Sequence, residues 1–109
     1  MKICIPVSGT NENPTMDNRF GRASYFCIYE TEDDSSVVIQ NPAVEARGGA
    51  GLKTVEFLVE KQIKAVIVPQ LGPNADRALR AAQILIFQGE SIPVKNLIVK
   101  WRNEDLREI

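Results

Sequence analysis

The chain has 109 residues, a length that suits one domain with its own hydrophobic core and no need of metal or disulfide staples. The apolar fraction of 44% and the charged fraction of 25% are those of an ordinary globular protein, and the net charge of −1 argues against a surface that neutralises nucleic-acid phosphates. No apolar run is long enough for a signal peptide or a membrane span. We therefore expect one cytoplasmic domain, residues 1–109, that binds neither nucleic acid nor membrane.

The first half of the chain predicts three strands in an antiparallel meander. Alternating apolar residues predict a strand at 2–7, an aromatic and β-branched run predicts one at 24–30, and a short apolar run predicts one at 37–40. A long polar loop covers 8–18. The acidic segment 31–36 forms a hairpin-type turn between the second and third strands.

The second half alternates helices with buried-type strands. Helical spacing predicts helices over 50–62, from Pro73 to about residue 82, and from Val94 to Trp101. The apolar positions assigned to the first of these helices are Leu52, Val55, Leu58, Val59 and Ile63. Apolar runs predict strands at 65–68 and 84–87. With right-handed crossovers, the order β-β-β-α-β-α-β-α predicts an α/β fold of the ribonuclease-H-like kind, a five-stranded mixed sheet in the order 3-2-1-4-5 with helices on its faces.

This topology brings the loops to one edge of the sheet. The carboxyl ends of four strands and the start of strand 2 share that edge, and open α/β sheets bind ligands there, where the strand order reverses. The glycines all lie in or beside the loops at this edge. These loops are 8–18, 19–23, 41–51, 70–74 and 88–90.

Such an edge favours a compact anion or a sulfide-rich or polyoxo cluster. Helix starts present free N–H groups, glycine admits a ligand close to the backbone, and Arg19, Arg22 and Arg47 add forked cationic donors. We expect Arg19→Ala and Arg22→Ala to weaken anion binding with little change in thermal stability. The candidate ligand-binding residues are Ser8, Gly9, Arg19, Phe20, Gly21, Arg22, Gly49, Ala50, Gly51, Gly72, Pro73 and Asn74.

Each feature also has an ordinary structural explanation. Gly72-Pro73 is common in strand-to-helix turns, and the segment 48–51 lacks the Gly-Lys-Ser/Thr that would make it a phosphate-binding loop. Arg22 is equally suited to pairing with a surface carboxylate such as that of Glu30. The aromatic side chains of this stretch suit a core better than a stacking platform; they are Phe20, Tyr25 and Phe26.

The chain has two cysteines and no histidine. Cys4 and Cys27 fall within predicted strands without C-x-x-C spacing, which favours two buried thiols. The absence of histidine removes the most common transition-metal ligand and general base, and it excludes a Ser-His or Cys-His nucleophile pair.

Several of these segments together resemble one family. They are Met1–Ser8, the Arg19–Tyr29 run with its Phe-Gly-Arg-Ala motif, the turn Gly49-Ala50-Gly51, and Leu71-Gly72-Pro73-Asn74-Ala75. In this order and spacing they resemble the dinitrogenase iron–molybdenum cofactor biosynthesis family, which contains NifX-like proteins and the carboxy-terminal domain of NifB-type proteins. The likeness runs from residue 1 to about residue 87, and more loosely through the last helix.

The resemblance implies a ribonuclease-H-like domain that is not an enzyme and that binds or carries an iron–sulfur or iron–molybdenum cluster, or its precursor, as cargo. It also implies partner proteins that donate or accept the cluster. Family members that hold the nitrogenase cofactor are thought to use a histidine. Without one, contacts must come from Cys4, Cys27, carboxylates, or arginine and backbone contacts to a complete cluster. If the two thiols face each other across strands 1 and 2, they lie in the body of the sheet, which argues against a ligand role.

Two other functions remain open. The same fold serves equally as a small-anion-binding or protein-interaction module with no role in nitrogen fixation. The fold alone suggests a nuclease, but two-metal chemistry needs carboxylates that project from the strands, and strands 1, 4 and 5 carry none.

Overall fold

A computed structural model describes all residues, 1–109, and confirms the predicted strand order. The sheet has the order β3-β2-β1-β4-β5. Its strands are β1 (Lys2–Val7), β2 (Tyr25–Glu30), β3 (Ser35–Gln40), β4 (Ile63–Val68) and β5 (Leu85–Gln88), and the helices are α1 (Ala50–Glu60), α2 (Pro73–Ala81) and α3 (Val94–Arg102). β2 is antiparallel to both β1 and β3, whereas β4 is parallel to both β1 and β5.

The core lies in two layers, one on each face of the sheet. Helices α1 and α2 cover one face, where Phe26, Leu58 and Leu79 are buried together. Helix α3 covers the other face, where Ile5 and Leu97 are buried. Because β4 is covered on both faces, all its residues except Lys64 are buried, which explains the continuous apolar run in its sequence.

The boundary between α1 and β4 differs from the prediction. Gln62 adopts the left-handed conformation, with φ of 61°, and turns the chain so that Ile63 begins β4 instead of extending the helix. Leu52 and Val59 are each 52% exposed, because only Val55, Leu58 and their neighbours on that side of α1 face the sheet. The helix predicted over 50–62 is confirmed except at its end, since α1 ends at Glu60, and the assignment of Ile63 to the helical pattern was wrong because Ile63 lies in β4.

The chain covers the β5 edge of the sheet with its own last residues. The carboxy-terminal residues return to β5, where the Ile109 N–H donates to the Ile86 carbonyl oxygen (2.9 Å) and the Gln88 N–H donates to the Arg107 carbonyl oxygen (2.8 Å). The tail therefore closes the β5 edge, which no sequence pattern indicated.

None of the three helices has the length and apolarity that a membrane crossing requires.

Candidate ligand site

The predicted loops do meet at the carboxyl edge of the parallel strands, but they form two groups. The loop 8–18 packs toward α3, since the Met16 N–H donates to the Ile92 carbonyl oxygen (3.1 Å) and the Val94 N–H donates to that of Pro14 (2.9 Å). Ser8 belongs to this group, since its N–H donates to the Thr15 carbonyl oxygen (3.2 Å). Gly9 follows Ser8 in the same loop. The turn 19–23 packs instead against the start of α1, as the close contacts of Gly21 show.

Glycines allow the second group to pack backbone against backbone. A β-carbon on Gly21 would lie 3.0 Å from the backbone nitrogen of Gly51, and one on Gly51 would lie 3.3 Å from the β-carbon of Ala75. The 19–23 turn, α1 and α2 are therefore in direct contact in that order. Larger residues at either glycine would separate these elements.

Asn41 holds this group to the end of β3. Its side chain is 1% exposed, and its amide nitrogen donates to the carbonyl oxygens of Gly21 (3.0 Å) and Ala23 (2.9 Å). Its amide oxygen accepts the N–H of Ala43 (2.9 Å). This residue was not predicted from the sequence, although Asn-Pro directly after a strand is a turn-initiating pair.

Arg22 contacts the protein itself. Its Nη1 donates to the carbonyl oxygens of Val44 (3.3 Å) and Ala46, which ties the 19–23 turn to the loop after β3. The suggested pairing of Arg22 with Glu30 is not formed, because Glu30 binds the amino terminus of Met1 (2.9 Å) at the far edge of the sheet.

Arg19 forms a two-point ion pair with Asp17. The distances are 3.2 Å from Nε to Oδ1 and 3.2 Å from Nη2 to Oδ2. The Asp17 side chain is only 7% exposed, whereas that of Arg19 is 62% exposed. The hydrogen bond to Asp17 raises the pKa of Arg19. The guanidinium thus reaches the surface while neutralising a buried carboxylate.

We expect Arg19→Ala to lower the midpoint of thermal unfolding by a few degrees, in contrast to the unchanged stability expected from the sequence. The variant would leave the Asp17 carboxylate with the Arg19 N–H (2.9 Å) as its remaining partner, and burying an unpaired charge is unfavourable. The matched control is Arg47→Ala, because Arg47 is exposed and forms no ion pair. Equal midpoints for the two variants would show that the Asp17 pair adds nothing to stability.

A groove of about 490 Å³ lies between α1 and α2, and we call it the α1–α2 groove. Its lining residues are Gly49, Ala50, Gly51, Leu52, Asn74, Arg77, Ala78 and Ala81. Four of the candidate residues predicted from the sequence are therefore brought together here: Gly49, Ala50, Gly51 and Asn74. Gly72 precedes α2 with Pro73 in the first turn, as predicted, while the Phe20 ring packs in the core at 5.8 Å from the ring of Phe26.

The start of α1 keeps its positive partial charge at the α1–α2 groove. Gly49 precedes the helix with φ of 65°, no side chain caps it, and the first turn has no acidic residue. The first N–H with a helical acceptor is that of Lys53, which donates to the Gly49 carbonyl oxygen (3.0 Å). The backbone N–H groups of Ala50, Gly51 and Leu52 thus have no acceptor in the protein.

Arg77 supplies a cation on the α2 side of the groove. It is exposed and forms no hydrogen bond or ion pair, whereas its neighbour Asp76 is bound to Arg80 (Nε–Oδ1 2.7 Å). Arg77 was not among the residues predicted from the sequence. The sequence feature that could have indicated it is its position in α2, a few residues after the Gly72-Pro73 turn at the loop edge of the sheet.

The two cysteines lie on opposite faces of the sheet. The register of β1 and β2 pairs Cys4 with Ile28 and Ile5 with Cys27, and Cys4 belongs to the α1/α2 core while Cys27 belongs to the α3 core. The two thiols therefore do not face each other across the strands, but both are buried within strands, as predicted. Burial raises the pKa of both thiols. The pKa of Cys27 rises to about 11, although a hydrogen bond with Ser36 lowers it in part. Nowhere does the chain bring together three His, Cys, Asp or Glu side chains that could hold a metal ion.

A family model described as dinitrogenase iron-molybdenum cofactor matches residues 1–104. The chain belongs to this family. Within it, a Thermotoga protein provisionally assigned to NifB and placed in the DUF35 family is 33% identical, with a TM-score of 0.85 over 98% of this chain and 91% of its own. The family likeness inferred from the motifs is confirmed.

Two further relatives extend the comparison. The orange protein from Desulfovibrio gigas, solved in its apo form, has a TM-score of 0.93 at 22% identity and covers 99% of this chain and 92% of its own, which shows a shared fold. An uncharacterized protein from Methanocaldococcus jannaschii is 25% identical over 101 residues, 90% of this chain and 82% of that relative. The dinitrogenase iron-molybdenum cofactor family thus accounts for nearly the whole chain.

The raised pKa of Cys27 predicts that the protein loses stability at alkaline pH. Folding raises this pKa from 9.0 to about 11, so burial of the neutral thiol stabilises the fold below pH 9, and this contribution is lost as the pH rises to about 11. We expect the loss to be on the order of 2–3 kcal/mol in the free energy of unfolding. Urea unfolding of the wild type and of Cys27→Ala at pH 8 and pH 11 measures it, because the variant lacks this part of the decline. The same decline in both proteins would contradict the assignment.

Proposed function

We propose that this chain is a non-catalytic carrier that binds an iron–sulfur or iron–molybdenum type cluster, or a precursor of one, as cargo in the α1–α2 groove. Family membership supports the class of cargo. The observation that carries the choice of site is the unneutralised start of α1, which faces the free guanidinium of Arg77 across the groove. The groove volume, about 490 Å³, lies in the range of small-molecule sites.

The chemistry of the groove suits a complete cluster better than bare metal ions. Its lining residues include no cysteine, histidine or carboxylate, so they supply no ligand to iron or molybdenum. Backbone N–H groups and a guanidinium do bind sulfide or oxo atoms on the surface of an anionic cluster. The apolar side chains of Leu52, Ala78 and Ala81 would cover part of its surface. Contacts of this kind are reversible, as a carrier requires.

The open groove and the missing ligand set also favour a second function, the binding of a small anion without any role in nitrogen fixation. Both functions use the same N–H groups and Arg77. They differ in whether iron is retained, which makes them separable by one experiment. Proteins that donate or accept the cluster belong only to the first function.

The test is anaerobic incubation of the purified protein with ferrous iron and sulfide, with and without molybdate, followed by gel filtration and metal analysis. We expect iron to co-elute with the protein and Arg77→Glu to lower the retained iron by about tenfold or more, because a charge-assisted contact becomes repulsive. The matched control is Arg107→Glu, an exposed arginine in the tail beside β5, which should retain iron as the wild type does.

Absence of co-eluting iron at every ratio would contradict the cluster carrier. Molybdate or phosphate binding that depends on Arg77 without iron retention would support the small-anion function instead. Equal losses in Arg77→Glu and Arg107→Glu would contradict the α1–α2 groove as the site.

A further inference from the structure

The outer edge of β3 is an uncovered sheet edge. The opposite edge, at β5, is closed by the carboxy-terminal tail. Proteins usually protect a free edge with lysine, proline, a bulge or a very short strand. The strand β3 has six residues, pairs with β2 without a register shift, and contains neither a charged residue nor a proline.

Backbone alternation identifies the groups that β3 presents outward. The Asn41 N–H donates to the Ser24 carbonyl oxygen (3.0 Å), so this pair is hydrogen-bonded, and the odd-numbered residues of β3 direct their backbone groups to β2 in the same way. The N–H and C=O groups of Ser36, Val38 and Gln40 therefore point away from the sheet. No loop or side chain of the protein hydrogen-bonds to them.

We propose that this edge binds a second copy of the chain, with the two β3 strands antiparallel about a two-fold axis at Val38. Ser36 of each copy then lies opposite Gln40 of the other, and Val38 lies opposite its own counterpart. Each outward N–H meets an outward C=O, because Val38 is the central one of the three outward residues. The two sheets join into one continuous sheet.

The side chains and charges suit this pairing. Val37 is 56% exposed and, next to Ile39, faces the α1/α2 side of the sheet. In the dimer, Val37 of one copy packs beside Ile39 of the other. The acidic turn 32–34 lies at one end of β3, and Arg22, bound to the loop after β3, lies at the other end. Antiparallel pairing brings these opposite charges toward each other.

The small size of the interface makes the association weak. A single six-residue edge with one apolar strip is below the standard size of a stable interface. We expect a dissociation constant between about 0.1 and 1 mM. The protein is then a monomer in dilute solution and a dimer when concentrated.

Amide hydrogen exchange of the wild-type chain, measured by NMR at about 50 µM and about 2 mM, tests the pairing. By mass action, exchange at the N–H groups of Ser36, Val38 and Gln40 should be about two- to fourfold slower at the higher concentration than at the lower one. The odd-numbered amides of β3, which already bind β2, should not change. Sedimentation at the same concentrations should show the dimer. A monomer at 2 mM, or a dimer without slower exchange at these three amides, would overturn the proposal.

A matched pair of variants locates the axis. Val38→Lys places two like charges directly opposite each other and should give a monomer at 2 mM. Val99→Lys makes the same change at a 56% exposed position on α3 and should leave the dimer intact. Circular dichroism tests whether both variants fold. If Val38→Lys does not fold, the wild-type exchange data decide the question. Loss of the dimer in neither variant, or equally in both, would contradict the β3 interface. This inference does not depend on the cargo of the α1–α2 groove.

Discussion

Replacing Asn41 with alanine should lower the free energy of unfolding by about 2–4 kcal/mol. The amide makes three hydrogen bonds, to the carbonyl oxygens of Gly21 and Ala23 and from the N–H of Ala43, and the side chain is 1% exposed. Alanine removes all three hydrogen bonds at once at a fully buried position, and of the three backbone groups only the Gly21 carbonyl oxygen keeps another side-chain donor, the Thr54 hydroxyl at 3.5 Å. Each unsatisfied buried group costs about 1–3 kcal/mol, and partial relaxation of the loops recovers some of this. Urea unfolding, with the midpoint and slope fitted separately, measures the loss.

Two controls separate the hydrogen bonds from the loss of volume. Asn41→Asp has nearly the same shape and keeps the oxygen that accepts the Ala43 N–H, but it sets a carboxylate oxygen against two carbonyl oxygens. We expect it to be at least as destabilising as alanine. Asn11→Ala, in an exposed part of the loop 8–18, should change the free energy of unfolding by less than about 0.5 kcal/mol. A tolerated Asn41→Asp would mean that volume, and not hydrogen bonding, matters at this position.

The sequence predicted the elements and their order because these depend on local patterns. The continuous apolar run of β4 reflects burial on both faces of the sheet, and Pro73 marks the first turn of α2. The alternation along β1 identified a strand, although β1 is also buried on both faces. The boundary at Ile63 was misplaced because an apolar residue at helical spacing is also suitable for the start of a strand. The left-handed turn at Gln62, which decides between them, has no strong sequence signal.

The geometry of the candidate site could be predicted only in part, because side-chain partners depend on the three-dimensional arrangement. The topology, which could be predicted from the sequence, places the glycine loops at one edge of the sheet and so brings Gly51 to the groove. The sequence did not show that Arg22 binds loop carbonyl oxygens, that Arg19 neutralises Asp17, or that Arg77 remains free. An arginine beside a glycine turn fits ligand binding and loop bracing equally well. Only the distances to Val44 and Asp17 distinguish the two.

Gly21→Ala should destabilise the protein by about 1–3 kcal/mol although it adds a single methyl group. The new β-carbon would lie 3.0 Å from the nitrogen and 3.1 Å from the α-carbon of Gly51. Both are backbone atoms at the start of α1, so no side chain can rotate away and the 19–23 turn must shift from the helix. The same shift would stretch the bonds from Asn41 to the carbonyl oxygens of Gly21 and Ala23. Thermal and urea unfolding measure the loss.

Gly9→Ala is the matched substitution, because it adds the same methyl group at a glycine of the same edge. A β-carbon on Gly9 meets nothing within 4 Å, and its φ is not positive. We expect no loss of stability, and a gain of up to about 1 kcal/mol from a less flexible unfolded chain. The difference between the two variants therefore measures the backbone contact that fixes the start of α1. If Gly21→Ala were as stable as Gly9→Ala, the free N–H groups of α1 would not be held in place by the 19–23 turn, and the α1–α2 groove would lose its rigid wall.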